Sequence, residues 1–241
     1  MTDFKSYIKN ADCFDEFKNI KDNTVDLVCV DLPYGQTSCA WDSVIDLTKM
    51  WDELKRICKD NTIYVFFCTT KFGHSLISSN KKGFRYDLVW EKSNSVGFLS
   101  ANKMPLRKHE MIYVFYKKWS VYNPQKTKGK PYIQKREKKE NTGVYHGVEK
   151  YYRTSINNKG DRYPTSIIKF NNPKKSIHST QKPTDLLEWL IKTYSNENDI
   201  VLDFTMGSGS TIEACINTNR KYIGIEKDED VYLTAKNRLD L

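Results

Sequence analysis

The sequence contains no long hydrophobic run. Its longest uninterrupted apolar stretch, residues 63–68, spans six positions, against the roughly 20 that a membrane-crossing helix needs. The first residues, with Asp3, Lys5 and Lys9 around isolated apolar positions, also lack the continuous apolar segment of a secretory leader. The chain therefore reads as cytoplasmic, with no membrane partner. Cysteine is sparse, six in 241 residues, and no two stand in Cys-x-x-Cys spacing, the pairing used by short-range metal and redox motifs. Cys29, Cys58, Cys68 and Cys215 lie in or beside apolar segments, where a reduced thiol behaves as a small hydrophobe. Histidine is scarcer still: four residues, at 74, 109, 146 and 178, with no pair spaced to share one helix face, so no metal site is read.

Acidic residues are also in deficit, 30 against 39 Lys and Arg, and the imbalance is local. Residues 117–182 carry 17 Lys or Arg against 4 Asp or Glu, which leaves 22 against 26 for the rest. Eight aromatic rings, from Trp119 to Phe170, are interleaved with those cations. Such alternation suits phosphate contacts and base stacking, so a polyanion is the natural partner. A merely solvated loop is the competing explanation, and eight rings count against it. What remains is ample for folding: 39% hydrophobic and 13% aromatic residues exclude wholesale disorder, and the length suits one domain with an inserted lobe.

Apolar runs rich in Val, Ile, Tyr and Phe predict strands over 25–30, 62–68, 84–90, 111–116, 200–204 and 222–225. Leu47, Met50, Trp51, Leu54 and Ile57 recur at helical spacing, as do Leu186, Leu187, Leu190, Ile191 and Tyr194. Shorter helices are predicted over 210–218 and 228–239. Alternating strands and helices give an α/β fold with a mainly parallel twisted sheet covered by helices on both faces. Ligands of such sheets bind at the carboxyl ends of the strands.

Two clusters occupy such ends. Asp31-Leu32-Pro33-Tyr34 follows the first strand. Pro33 biases Leu32 towards extended geometry, so that the Leu32 carbonyl can join the Asp31 carboxylate as a pair of acceptors. An exocyclic amino group has two hydrogens to donate, and the Tyr34 ring could stack on the base that bears it. A tight turn with Tyr34 in the core is the alternative. The second cluster, Asp203-Phe204-Thr205-Met206-Gly207-Ser208-Gly209, is a strand-to-helix turn whose glycines admit close approach of a nucleotide-like cofactor. A dinucleotide fingerprint is not met, because Ile212 stands where its third glycine belongs. Glu226, ending the next strand, is suited to ribose hydroxyls.

Together these clusters resemble the amino-methylating DNA methyltransferases, which use S-adenosylmethionine to modify exocyclic amines of adenine or cytosine. Asp31-Leu32-Pro33-Tyr34 is similar to the family's Asp-Pro-Pro-Tyr catalytic motif. The turn from Phe204 to Gly209 is similar to its Phe-x-Gly-x-Gly cofactor motif, with one added residue that puts Thr205 in the aromatic slot and Phe204 one place earlier. His178-Ser179-Thr180-Gln181-Lys182-Pro183 is similar to its His-Pro-Thr-Gln-Lys-Pro motif, which closes over the methionine end of the cofactor. The order, catalytic motif first and cofactor motif last, is the circularly permuted order of the β group.

The resemblance implies a Rossmann-like methyltransferase fold: a catalytic half over 1–116, an inserted target-recognition region over 117–177 and a cofactor half over 178–241. It implies Asp31, Leu32, Pro33 and Tyr34 as catalytic residues. Cofactor contacts would come from Asp12, Thr180, Lys182, Asp203, Phe204, Thr205, Gly207, Gly209 and Glu226. For Asp12, capping of a helix starting near Cys13 is an equal alternative. Arg136, Arg153 and Arg162 are the residues able to make bidentate contacts to guanine. Asp rather than Ser at the first motif position implies adenine N6 as the acceptor; cytosine N4 and a turnover-deficient DNA-binding protein are the alternatives. The expected partner is DNA, and the family allows both a partner restriction endonuclease and a homodimer.

Overall fold

The computed structural model describes residues 4–34, 45–134, 156–173 and 181–241. In chain order the elements are β1 (Tyr7–Asn10), α1 (Cys13–Phe17), β2 (Val25–Asp31), α2 (Leu47–Ile57), β3 (Cys58–Cys68), α3 (Thr70–Ser79), β4 (Phe84–Val96) and β5 (Arg107–Tyr116). Four short strands follow: β6 (Thr127–Lys128), β7 (Tyr132–Gln134), β8 (Ile156–Asn158) and β9 (Asp161–Arg162). The chain then continues through β10 (Ile167–Phe170), α4 (Thr184–Tyr194), β11 (Ile200–Asp203), α5 (Ser210–Asn217), β12 (Lys221–Glu226) and α6 (Glu229–Arg238).

Eight strands form one sheet in the order β1-β12-β11-β2-β3-β5-β4-β10. All neighbours are parallel except where β5 runs antiparallel to both β3 and β4. Strand alternation divides the core into two layers. Leu27, Cys29, Val65 and Phe67 face α4 and α5, while Val28, Val30, Phe66 and Cys68 face α1, α2 and α3. The Rossmann-like arrangement follows, because continuously apolar strands need cover on both faces. Each fully buried Leu, Ile or Phe in these layers contributes about 1.5–3 kcal/mol.

The chain divides into two compact units, Met1–Asn123 with Ser166–Leu241, and Pro124–Thr165. The second is narrower than the 117–177 expected of the insertion, because Ile167–Phe170 pairs with β4 as an edge strand of the main sheet. Within the second unit β6 pairs with β9 and β7 with β8, both antiparallel. The Arg162 guanidinium lies 4.8 Å over the Tyr132 ring and donates to Asn158 Oδ1 at 2.5 Å and to the Lys130 carbonyl. Arg162, expected as a guanine reader, here braces this unit through its fork. Arg136 and Arg153 lie outside the described residues.

Candidate active site

Four parallel neighbours, β1, β12, β11 and β2, end in Asn10, Glu226, Asp203 and Asp31. The permuted motifs are thereby brought side by side, since β11 and β2 pair directly through Leu202 and Val28. The Thr205 hydroxyl donates to the Asp31 backbone carbonyl at 2.9 Å, so the glycine-containing turn and the Asp31 segment share one edge.

On the β11 and β12 side, Asp203 is buried, and burial raises its carboxyl to about 7. Hydrogen bonds from Thr211 and the Thr205 amide oppose the rise, while Asp31 and Glu226 add to it. Gly207 and Gly209 adopt left-handed φ of 51° and 78°, which only glycine takes readily. The Glu226 carboxylate accepts from the Gly207 amide at 2.9 Å and from the Asp228 amide at 2.9 Å. Around Gly207, no atom of the described residues lies within 4 Å of where a Cβ would stand. An open glycine corner flanked by Asp203 and Glu226 fits a nucleoside-bearing cofactor: amides can approach it closely, and a carboxylate is available to its hydroxyls.

Phe204 is corrected from a cofactor contact to a core residue. It falls on the same sheet face as Leu202, is 1% exposed, and its ring meets Phe17 edge-on at 5.3 Å. Thr205 is the half-buried residue at the crevice. Asp12 caps α1, with Oδ1 accepting from the Phe14 amide at 2.9 Å and Oδ2 lying 3.1 Å from Lys227 Nζ. Thr180 lies outside the described residues.

On the β2 side, Leu32 anchors the motif in the core at 2% exposure. The Tyr34 ring rests against Phe72 of α3 at 5.4 Å. Its hydroxyl donates a short hydrogen bond to Asp31 Oδ1. Lys182, expected at the cofactor, stands beside Asp31: Nζ is 2.5 Å from Asp31 Oδ2 and 3.0 Å from Glu110 Oε1. Glu110 Oε2 is in turn 2.6 Å from Lys92 Nζ. Burial raises the Asp31 carboxyl and Glu110 adds to the rise, while Lys182 opposes it. Burial also works against charge on Glu110 and on Lys182, but the neighbouring opposite charges prevail, keeping Glu110 low and Lys182 high. Tyr34 is pushed well up by burial and by the same two carboxylates.

Glu110 and Lys92 were not singled out in the sequence. The available signal was an acid directly before the apolar run 111–116, a position on a strand buried from both faces where an acid must find a partner.

The DNA methylase family (N6_N4_Mtase) matches residues 25–237. The Type II methyltransferase M.HpaI of Haemophilus parainfluenzae is 30% identical over 92% of this chain and 70% of its own length. M1.MboII of Moraxella bovis is 26% identical over 92% of each. Among solved structures, the M1.HpyAVI–SAM complex superposes with a TM-score of 0.64 at 26% identity, covering 96% of this chain and 98% of that one. The cytosine-N4-specific PvuII DNA methyltransferase shares the fold, with a TM-score of 0.70 at 13% identity over 98% of this chain and 87% of its own. With the family matched across both motif clusters and the strand ends that join them, this chain belongs to the N6/N4 DNA methylases.

Proposed function

We propose that the chain methylates N6 of an adenine swung out of duplex DNA, with S-adenosylmethionine as donor. The observation carrying this reading is the Thr205–Asp31 hydrogen bond, which unites the donor corner and the acceptor motif on one strand edge. When bound, S-adenosylmethionine supplies a methyl group already activated by its sulfonium. Glu226 would hold its ribose hydroxyls, and Gly207 and Gly209 would admit its backbone-close atoms.

The chain's own task is orientation. Asp31 and the Leu32 carbonyl accept the two amine hydrogens and direct the nitrogen lone pair. Tyr34 offers a stacking face worth about 1–3 kcal/mol, which partly offsets the few kcal/mol needed to extrude the base. Asp at position 31 supports adenine over cytosine. The Type II names of the relatives support a restriction–modification setting with a partner endonuclease.

Methylome sequencing of a host expressing the chain tests the reading, beside Asp31→Ala and Tyr34→Ala. N6-methyladenine at one sequence motif, lost in both variants, is expected. N4-methylcytosine would replace the base assignment, and modification that persists in Asp31→Ala would overturn the site.

A further inference from the structure

Asp31 is crowded before any substrate arrives: Oδ1 accepts from the Tyr34 hydroxyl, and Oδ2 lies 2.5 Å from the Lys182 ammonium. Each oxygen retains a second lone pair, but an amino group that takes the direction now held by Tyr34 or Lys182 displaces that donor. The Tyr34 hydroxyl is neutral, whereas Lys182 is a three-donor cation only 12% exposed. If Lys182 moved off Asp31 with nothing to receive it, a buried charge would be stranded, a costly outcome. Glu110 removes that obstacle. It is equally enclosed, at 12% exposure, and its Oε1 already lies 3.0 Å from the same ammonium. Its other oxygen is fixed by Lys92 at 2.6 Å. Lys92 stands 4.7 Å over the Trp90 ring, and Lys182 5.1 Å over that of Phe67.

We infer that Glu110 and Lys182 are positioning residues for methyl transfer: Glu110 takes the Lys182 ammonium when a target amino group claims Asp31, and returns it when product leaves. This inference rests on the function proposed above. The four charges alternate, Lys92, Glu110, Lys182, Asp31, so the ammonium can pass between two carboxylates without altering the net charge of the cluster. Other titratable groups around Asp31 are Tyr34 and Cys29 of its own segment, Cys68 of β3 and Asp203 of β11. None of these carries a positive charge, so among the described residues Lys182 is the cation that governs Asp31.

The test is single-turnover methylation of DNA bearing the motif found by methylome sequencing, followed by tritium transfer from labelled S-adenosylmethionine between pH 5.5 and 9. Lys182→Met deprives Asp31 of its cation, so the acidic limb of the rate profile should move to higher pH by about one unit or more. Glu110→Gln removes a like charge and leaves Lys182 on Asp31 alone. Its limb should move to lower pH and its rate should fall about tenfold, with the dissociation constant for DNA unchanged. Lys182→Arg, which keeps charge and donors, should hold the limb at the wild-type position.

Opposite displacements in Lys182→Met and Glu110→Gln support the exchange. Limbs that stay in place, or move together, while melting temperature drops would make the cluster purely structural and overturn it. Should Lys182→Met fail to fold, the direction of the Glu110→Gln limb decides alone. A wild-type chain that methylates no base would instead sink the underlying function.

Discussion

Gly207 and Gly224 lie on adjoining strand-end segments, yet a methyl group added at each meets opposite surroundings. At Gly224 it would come within 2.6 Å of Met206 Sδ, 2.8 Å of Ile212 Cδ1 and 3.0 Å of Ile8 Cγ2, so Gly224→Ala should lose about 1–3 kcal/mol of stability through overpacking. At Gly207 it would meet no atom of the described residues within 4 Å. Gly207→Ala should cost only the left-handed backbone penalty, about 1–2 kcal/mol, while its methyl would enter the corner proposed for the donor. Urea titration checks the two stabilities. Calorimetry with S-adenosylmethionine should show affinity falling about tenfold or more for Gly207→Ala, equivalent to about 1.4 kcal/mol. Asp203 yields a second prediction. Its folded carboxyl titrates near 7 while the unfolded one titrates near 3.8. The stability from keeping it protonated is complete below about pH 4 and is lost as pH rises through 7. Asp203→Asn should abolish that component, so the stability difference between wild type and variant should change by up to about 4 kcal/mol between pH 4 and 8. Parallel pH profiles would reject this assignment.

At the scale of the element, α1 isolates two roles that one residue can play. Asp12 is its N-cap, and loss of such a cap typically costs about 1 kcal/mol. Asp12→Ala should lower stability by that amount and Asp12→Asn should not, because Asn caps equally well. If Asp12 also meets the donor's adenine amino group, Asp12→Asn should still weaken S-adenosylmethionine binding; an unchanged calorimetric affinity confines Asp12 to capping. The long apolar strands were legible in sequence because burial on both faces leaves continuous Val, Ile and Phe runs. Other elements left fainter marks. α3 buries only Phe72, Gly73 and Leu76, too few for a helical stripe, and β10 buries Ile168 alone within a basic stretch. Phe204 was misplaced because the motif resemblance carried no information on which face of β11 the ring takes. The Lys92–Glu110–Lys182 cluster was invisible because its members come from three segments, joined only once β4, β5 and the approach to α4 are assembled.

For the whole molecule, circular permutation explains why motifs far apart in sequence act as neighbours: parallel pairing of β2 with β11 and of β12 with β1 gathers both chain halves at one sheet edge. That edge was foreseeable from motif order, whereas the extent of the basic unit was not, since charge does not distinguish a separate lobe from the strand that leaves it. Pro124–Thr165 carries 11 Lys or Arg against 4 Asp or Glu, and this concentration should set the salt dependence of DNA binding. Each phosphate neutralised releases counterions, giving a slope of about −0.9 per contact in log affinity against log salt. Lys126, Lys130 and Lys159 all belong to this unit. Replacing the three with Ala should flatten the slope by up to about 3 and weaken binding to matched and mismatched duplexes alike, because phosphate contacts position without reading sequence. Fluorescence anisotropy between 50 and 300 mM salt measures both quantities. A slope unchanged in the triple variant would place the polyanion contacts elsewhere in the chain, and a loss confined to the matched duplex would make these lysines readers of sequence.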